Sequence, residues 1–354
     1  MSRFFSNQHK ELVPYTPGEQ PTGRQYIKLN TNESPFPPSE KAIAYAAEAV
    51  KHLELYPDPT CGALHKAFAA QCGVSPDEVL MTNGSDEILH FAFMAFCDDR
   101  HPAAFADITY GFYSVFAKRR HVPYTLIPLR DDFTIDPEDY IGLGKTIVLA
   151  NPNAPTGIAL PLDAVERIVR GNPNNVVVVD EAYVDFGAQS AVQLIHRYDN
   201  LLVTQTFSKS RSMAGARLGC GIGCKELIAD LNTIKYSTNP YNINRMTMAA
   251  GLGVLEDEAY TRMNCRRIMD TRLFTTQALR QLGFSVIDSM TNFVFAKADW
   301  IGGQALYEAL KERGILVRHF ETPRLKDYNR ITIGTTDQMK ALILAIEDCR
   351  EGIK

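Results

Sequence analysis

The sequence predicts an α/β protein with a mostly parallel sheet between helices, followed by a smaller α+β domain. Three observations predict this fold class. The 354 residues are enough for two domains with a large apolar core. Between residues 30 and 256, helical and strand-like segments alternate, and apolar runs such as VVVV at 176–179 lack the polar alternation of a half-exposed strand. From residue 257 onward, long helices are separated from a small group of strands.

The chain is predicted to begin with an irregular arm over residues 1–29, because its prolines and glycines interrupt helices and strands. The large domain is then predicted over residues 30–256. Its predicted helices are Lys41–Leu53, Gly62–Gln71, Asp86–Cys97 and Leu162–Arg170, and its predicted strands are Val79–Thr82, Thr146–Ala150, Val176–Val179 and Leu201–Gln205.

A small domain is predicted over residues 257–354, where the chain opens with a long helix rich in arginine. Strand-like and helical segments then follow one another to the last predicted helix at 336–349. The predicted strands lie in FSVIDSMTNFVFAKA (284–298), ILVRHF (315–320) and RITIGT (330–335), and a predicted helix lies in QALYEALKERG (304–314).

Composition argues against several classes of function. The chain has 37 basic and 41 acidic side chains, a net charge of −4, and so lacks the basic surplus of a nucleic-acid-binding protein. No apolar stretch approaches the ~18 residues of a membrane span, and the first residues do not resemble a signal peptide, which predicts a cytoplasmic protein. The 7 cysteines are scattered and lack metal-ligand spacing, so we expect buried thiols and no metal site.

Charged side chains follow the ends of predicted strands. Asp180 ends the VVVV strand, and Lys209 lies in the loop after the next predicted strand. Ligands of open α/β sheets bind outside the carboxyl ends of the strands, so these two side chains are expected to meet in one crevice. Asn83-Gly84-Ser85 joins a strand to a helix, where free backbone N–H groups favour an anion such as phosphate.

Short motifs of the same kind extend along nearly the whole chain. Any one of them is weak evidence alone, but their order and spacing are specific. They are LNTNESPFPPS (29–39), YPDP (56–59), NGSDE (83–87), TYGFY (109–113), NPNAPTG (151–157), VDEAY (179–183), SKSRSMAGARLG (208–219), PYNIN (240–244), VRHF (317–320) and RITIGT (330–335).

Together these motifs resemble those of the fold-type I aminotransferases that depend on pyridoxal 5'-phosphate. The resemblance implies that fold, that cofactor, and a homodimer with a shared active site. It implies an amino-group transfer between two small molecules, an amino donor and a 2-oxo acid. Within the family, the likeness is greatest to enzymes of histidine biosynthesis that use L-histidinol phosphate and 2-oxoglutarate.

The resemblance also implies roles for individual residues. Lys209 is expected to bond to the cofactor aldehyde and to act as general base and acid, with Asp180 against the pyridine nitrogen and Tyr183 against the ring oxygen. Tyr110 is expected to stack on the ring, and Tyr56 to reach the cofactor phosphate of the neighbouring subunit. The residues expected around the cofactor phosphate of the same subunit are Gly84, Ser85, Asp86, Thr206, Ser208 and Arg217.

One position departs from the family pattern. The residue before Pro-Thr-Gly is usually asparagine but is Ala154 here, so either Asn153 or Tyr183 alone is expected to contact the ring oxygen. Substrate contacts are expected from residues of the arm, of the first motif and of the last two motifs. They are Tyr15, Asn32, Arg318 and Arg330.

Three alternative functions share this scaffold. An aromatic amino-acid aminotransferase would use the last arginine for a carboxylate, and a threonine-phosphate decarboxylase would break the bond to the carboxyl carbon. The sequence leaves open which bond lies perpendicular to the cofactor ring. A non-catalytic DNA-binding regulator is disfavoured, because the arm is too short and too rich in proline and glycine for a DNA-binding segment.

Overall fold

A computed structural model of the chain describes residues 2–10, 12–14, 18–20 and 23–352. Strands form where β-branched and other apolar residues follow one another between polar turns. In chain order the strands are β1 (Ile27–Lys28), β2 (Val79–Thr82), β3 (Ala103–Ala106), β4 (Tyr124–Ile127), β5 (Thr146–Ala150), β6 (Val177–Asp180), β7 (Leu201–Thr206), β8 (Gly219–Gly223), β9 (Phe284–Ile287), β10 (Phe293–Ala298), β11 (Ile315–Leu316), β12 (Arg318–His319) and β13 (Asn329–Thr332).

Several helices begin at side chains that accept a backbone N–H. The Ser39 hydroxyl accepts from the Ala42 amide, and Thr335 and Gln338 form a reciprocal capping box. The helices are α1 (Glu40–Ala49), α2 (Gly62–Cys72), α3 (Ser85–Phe96), α4 (Phe112–Arg119), α5 (Leu162–Arg170), α6 (Lys225–Thr238), α7 (Arg245–Leu255), α8 (Glu258–Gln281), α9 (Gly303–Glu312) and α10 (Thr336–Glu351).

The larger sheet has seven strands in the order β2-β8-β7-β6-β5-β3-β4. Strand β8 is antiparallel to both of its neighbours, and the remaining pairs, from β7 through to β4, are parallel. The fold class predicted from the sequence, a mostly parallel sheet between helices with a smaller domain beside it, is therefore confirmed.

Both faces of this sheet are covered. Val177 and Val179 belong to one apolar core, whereas Val178 belongs to a second core on the opposite face. Successive side chains of a strand point to opposite faces, so an uninterrupted apolar run requires packing on both sides. This is the physical reason for the VVVV segment.

The direction of the strands places the candidate residues at one edge of the sheet. Strands β2, β3, β5, β6 and β7 all end there, and β8 begins there. The loop that contains Lys209 follows β7, and Asp180 is the last residue of β6. Register brings Asp180 beside Thr204 and Thr206 beside Gly219.

A second sheet, with the antiparallel order β12-β13-β10-β9, lies in the carboxy-terminal part of the chain. Its core is a separate cluster that includes Phe293, Ile331 and Leu342. Strand β1 pairs in parallel with β11, so the residues before position 30 contact this part of the fold. The division at residues 29 and 256 stays a prediction. No helix within the described ranges has both the length and the apolar character needed to cross a bilayer.

Candidate active site

A cavity of about 400 Å³ opens at the edge where the strands end. Its walls come from the segments on either side of β1, from the loops after β2, β3, β5, β6 and β7, and from the segment before β8. Most of the residues predicted to hold a cofactor line this one cavity. They are Ser85, Asp86, Tyr110, Asp180, Tyr183, Thr206, Ser208, Lys209 and Arg217.

Lys209 has the properties of a reactive amine. Its Nζ donates a hydrogen bond to the Thr31 carbonyl oxygen at 3.2 Å and lies 6.0 Å from the centre of the Tyr183 ring. Burial, together with the positive charge of Arg330, lowers the pKa of Lys209 to about 8. A sizeable fraction of this amine is therefore neutral near physiological pH, as a nucleophile or a general base requires.

Asp180 is a buried carboxylate that faces the same cavity. It is 5% exposed, and it accepts hydrogen bonds from the Tyr113 hydroxyl at 2.7 Å and the Thr204 hydroxyl at 3.1 Å. Burial raises the pKa of Asp180 to about 6, and the two hydrogen bonds oppose this rise. A protonated ring nitrogen in the cavity would stabilise the ionised form, because an opposite charge nearby favours it.

The turn from β2 into α3 fits closely against Arg217. Gly84 has φ +75°, and a Cβ there would lie 2.6 Å from Arg217 Nη2. A Cβ on Gly219 would lie 2.4 Å from the Ser85 backbone nitrogen. Only glycine allows both approaches, which bring a guanidinium to the first turn of a helix whose N–H groups have no intrahelical partner. This combination suits a phosphate group.

The Arg217 side chain is held by neighbouring polar groups. Its Nη2 lies 3.0 Å from a carboxylate oxygen of Asp86, and its Nη1 lies 3.4 Å from the Ser208 hydroxyl. The Thr206 hydroxyl in turn donates to Ser208 at 3.0 Å, and the Tyr110 hydroxyl donates to Asp86 at 2.8 Å. These five predicted residues therefore form one hydrogen-bonded group on the wall of the cavity.

Asn32 and Tyr183 form a buried pair beside this wall. The Asn32 side-chain nitrogen donates to the Tyr183 hydroxyl at 2.9 Å. Asn32 itself has φ +56° and exchanges hydrogen bonds with the Thr332 hydroxyl through its backbone nitrogen, at 2.9 Å, and its side-chain oxygen, at 3.0 Å. Asparagine tolerates this left-handed conformation better than most residues, and its fixed position orients the tyrosine hydroxyl.

A second cavity, of about 680 Å³, adjoins the first. The two share Tyr110, Tyr183 and Lys209 among their lining residues, so the amine faces both. Arg318 and Arg330 line the second cavity only, and both guanidinium groups lie near the Phe320 ring, at 5.6 and 5.8 Å from its centre. Two neighbouring guanidinium groups suit a phosphate or a carboxylate.

Asn153 lies close to the site but does not line either cavity. The Thr109 hydroxyl donates to its side-chain oxygen at 2.8 Å, and its side-chain nitrogen donates to the Ile108 carbonyl at 3.0 Å and to Thr156 at 3.2 Å. Both N–H groups of its side-chain amide are thus used in holding the loops after β3 and β5. Of the two options for the ring oxygen, this placement favours Tyr183.

Tyr56 and Tyr15 are the other predicted residues that do not join the cluster. Tyr56 is 79% exposed, and its ring stacks on Tyr241 with 4.7 Å between ring centres. It lines neither cavity of its own chain. Tyr15 lies outside the described residues.

The structure adds residues that the sequence analysis did not assign. Tyr113 and Thr204 hold Asp180, and the Thr31 carbonyl accepts from Lys209. Tyr113 lies within the TYGFY motif, so the motif itself could have indicated it. Thr204 could be found only from the pairing of β6 with β7, because no sequence spacing links it to Asp180.

The fold and the site agree with the protein family that the sequence matches. Residues 24–346 match the family of class I and II aminotransferases, and the chain belongs to that family. The match extends over most of both sheets and includes the Lys209 and Asp180 positions.

Two relatives match this chain over nearly their full lengths. The chain is 51% identical to a histidinol-phosphate aminotransferase of Marinomonas sp. (strain MWYL1), across 98% of this chain and 99% of that protein. It is 46% identical to a histidinol-phosphate aminotransferase of Brachyspira hyodysenteriae, with the same coverage.

Solved structures show the same fold. The crystal structure of histidinol-phosphate aminotransferase from Sinorhizobium meliloti in complex with pyridoxal-5'-phosphate has a TM-score of 0.91 at 22% identity, covering 100% of this chain and 99% of that one. The L-threonine-O-3-phosphate decarboxylase from Porphyromonas gingivalis has a TM-score of 0.80 at 22% identity, covering 92% and 99%. At these identities the likeness concerns the fold alone, and the two enzymes share that fold although they catalyse different reactions.

Proposed function

We propose that this chain transfers the amino group of L-histidinol phosphate to 2-oxoglutarate in histidine biosynthesis, giving imidazole-acetol phosphate and glutamate with pyridoxal 5'-phosphate as cofactor. The observation that carries the proposal is the position of Lys209. It shares one cavity with Asp180 and a second with Arg318 and Arg330. The two histidinol-phosphate aminotransferases, at 51% and 46% identity over nearly their full lengths, support this substrate over the two rivals.

The residues of the first cavity fit the cofactor. Arg217, Ser208 and the first turn of α3 would hold its phosphate, and Asp180 would pair with its ring nitrogen. Tyr110 would lie against the ring face, and Tyr183 would donate to the ring oxygen. Bound pyridoxal phosphate supplies the electron sink that stabilises negative charge on the substrate carbon after a proton has left.

Lys209 is the proposed proton carrier. Its neutral Nζ accepts the proton from the substrate carbon and then donates it to a different carbon. The same nitrogen therefore acts as general base and then as general acid. A pKa of about 8 allows both roles near neutral pH. Asp180 would stabilise the positive charge of a protonated ring nitrogen in the bound cofactor. Asn32 keeps the Tyr183 hydroxyl in place through its side-chain hydrogen bond.

The second cavity is the proposed substrate pocket. L-Histidinol phosphate carries one phosphate and no carboxylate, whereas 2-oxoglutarate and glutamate each carry two carboxylates and no phosphate. Arginine forks bind both anions, so Arg318 and Arg330 can serve the two substrates in turn. The volume of about 680 Å³ is in the range of pockets for small metabolites.

A homodimer with a shared active site is part of the proposal. The surface around Tyr56 exposes further apolar side chains, among them Val50, Leu53 and Leu55, which are 47%, 53% and 57% exposed. Contiguous exposed apolar groups favour association, and a second copy would cover them. Tyr56 would then reach the cofactor phosphate of its partner. The cytoplasmic location stays a prediction from the sequence.

A half-reaction assay tests the substrate. The cofactor-loaded protein is mixed separately with L-histidinol phosphate, phenylalanine and threonine phosphate, and the absorbance of the bound cofactor is followed. We expect histidinol phosphate alone to convert the cofactor fully to its amine form, with keto product released. Conversion by phenylalanine at an equal rate, or carbon dioxide release from threonine phosphate, would contradict the proposal.

Subunit mixing tests the shared site. Tyr56→Phe and Lys209→Ala chains, each inactive alone, are unfolded and refolded together. In a random mixture about a quarter of all sites would carry neither substitution, because each heterodimer contains one site with both and one with none. Activity near that fraction supports the shared site. A mixture as inactive as its parents, with heterodimers present, would contradict it.

A further inference from the structure

We propose that Arg324 is a positioning residue that fixes one wall of the substrate cavity against the opposite wall. This inference rests on the proposed function, since it concerns the pocket for the amino donor. The cavity of about 680 Å³ lies between two segments. One wall contains residues 318–325, from the carboxy-terminal part of the chain, and the other contains residues 107–111, from the loop after β3.

Arg324 donates to three acceptors, one on the opposite wall and two in the segment after β4. Its Nη1 donates to an Asp107 carboxylate oxygen at 3.3 Å and to the Leu129 carbonyl at 3.2 Å. Its Nη2 donates to the Arg130 carbonyl at 2.7 Å. The planar guanidinium is the one side-chain group that can serve several acceptors in a fixed fork. Its Cζ atom also lies 5.3 Å from the centre of the Phe133 ring.

The acceptors are themselves rigid. The second Asp107 carboxylate oxygen accepts from the Leu129 backbone nitrogen at 2.9 Å, so the loop after β3 and the segment after β4 are joined. Leu325, the neighbour of Arg324, is 5% exposed and packs in an apolar cluster with Ile108 and Phe133. Arg324 therefore adds directional hydrogen bonds beside the apolar contact that Leu325 makes.

Arg324 differs in this respect from the two arginines proposed to bind substrate. Its donors are committed to Asp107 on the opposite wall and to the segment after β4 that Asp107 holds. Arg318 and Arg330 instead lie near the Phe320 ring inside the cavity. Phe320 and Arg318 belong to the same wall as Arg324. A shift of this wall would move both the ring and one of the anion-binding groups, and small misplacements of such groups are costly.

The expected effect is on substrate affinity. In the cofactor-loaded enzyme, Arg324→Ala should raise KM for L-histidinol phosphate about tenfold or more and leave kcat within about twofold. Backbone amides of residues 318–325 should exchange hydrogen faster in the same variant, without any substrate. Arg324→Lys should recover only part of the loss, because one ammonium cannot reach three acceptors from a planar fork.

Two further variants sharpen the test. Asp107→Asn should have a milder effect than Arg324→Ala, since two of the three acceptors are backbone carbonyls. Arg313→Ala is the matched control. Arg313 is an exposed arginine of the same part of the chain that donates to the Ala309 carbonyl within its own helical region at 3.0 Å, and its loss should leave KM and exchange unchanged.

The possible results distinguish a positioning role from direct substrate binding. A higher KM with unchanged amide exchange would make Arg324 a direct substrate ligand and overturn the positioning role. Unchanged KM and unchanged exchange, or full rescue by lysine, would also overturn it. If the wild-type enzyme failed to use histidinol phosphate, the proposed function would fail. The positioning role would then be judged by exchange at 318–325, where wild-type rates in Arg324→Ala would overturn it.

Discussion

Tyr113→Phe is the substitution that best isolates the electrostatic role assigned to Asp180. The Tyr113 hydroxyl is buried and donates to the carboxylate at 2.7 Å, so phenylalanine removes one hydrogen bond and little volume. The other donor, Thr204 at 3.1 Å, remains. The carboxylate then loses part of what keeps it ionised in a buried environment.

The size of the effect follows from the hydrogen bond. A hydrogen bond to a charged group contributes about 1.5–3 kcal/mol, which corresponds to about one to two pKa units. The pKa of Asp180 in the cofactor-free protein should therefore rise from about 6 to about 7–8. At pH 7 the ionised fraction would fall from about nine-tenths to between about a half and a tenth.

The assay is a titration of pyridoxal phosphate into cofactor-free protein between about pH 5.5 and 9. Only the ionised carboxylate pairs with a protonated ring nitrogen, so wild-type affinity should weaken below about pH 6 and the variant's affinity below about pH 7–8. The cofactor affinities of the two proteins should become equal at the alkaline end of this pH range. Lys209 titrates in both, so its contribution cancels in the comparison.

Tyr140→Phe is the matched control. Tyr140 is equally buried, at 1% exposed, and its hydroxyl has no hydrogen-bond partner among the described residues. Its loss should leave the pH profile of cofactor binding unchanged. If the Tyr113→Phe and wild-type profiles superimpose across the whole range, the argument that this hydrogen bond sets the ionisation of Asp180 is refuted.

Two further predictions concern the empty and the loaded site. Burial holds the pKa of Lys209 at about 8 against an ordinary 10.5, so Lys209→Met should raise the free energy of unfolding of the cofactor-free protein below pH 8 by up to about 3 kcal/mol. The gain should shrink as pH rises towards 10.5, and denaturant unfolding at several pH values would reveal a pH-independent difference if the reasoning were wrong. Gly84→Ala places a Cβ 2.6 Å from Arg217 Nη2 and should weaken cofactor binding about tenfold, or about 1.4 kcal/mol. Gly302→Ala, where a Cβ meets nothing within 4 Å, is its control, and equal cofactor affinity in the two variants would count against the phosphate role.

Much of the large sheet could be predicted from apolar runs alone. Strands β2 and β5 and helix α5 have the predicted bounds. The predicted strand 176–179 lies one residue later, at Val177–Asp180, so the carboxylate itself ends the strand. The predicted helix 41–53 is α-helical only as far as Ala49 and continues as a 3-10 turn.

Strand β8 was not predicted from the sequence, because it depends on packing contacts that form only in the folded protein. The segment GCGIG has low strand propensity, yet it lies inside the sheet between β2 and β7. A Cβ on Gly219 would strike the Ser85 nitrogen at 2.4 Å, and one on Gly221 would lie 2.7 Å from the Ile88 side chain. The glycines are required because α3 packs directly on this strand, and no local pattern reveals that packing.

The candidate site divides in the same way. Lys209, Asp180 and Arg217 could be assigned from motifs. Asp180 ends β6, and the motif with Lys209 and Arg217 joins β7 to β8 at the same edge of the sheet. Tyr113, Thr204 and Arg324 act through partners that are distant in sequence, and only the folded arrangement brings these groups together.

The most direct test of the central claim is to locate the cofactor on the chain. The purified, cofactor-loaded protein is reduced with borohydride, digested, and its peptides are identified by mass spectrometry. We expect one modified peptide, with the reduced cofactor on the Lys209 side chain, and no such peptide from Lys209→Ala. A cofactor attached to another lysine, or full modification that persists in the Lys209→Ala protein, would contradict the account.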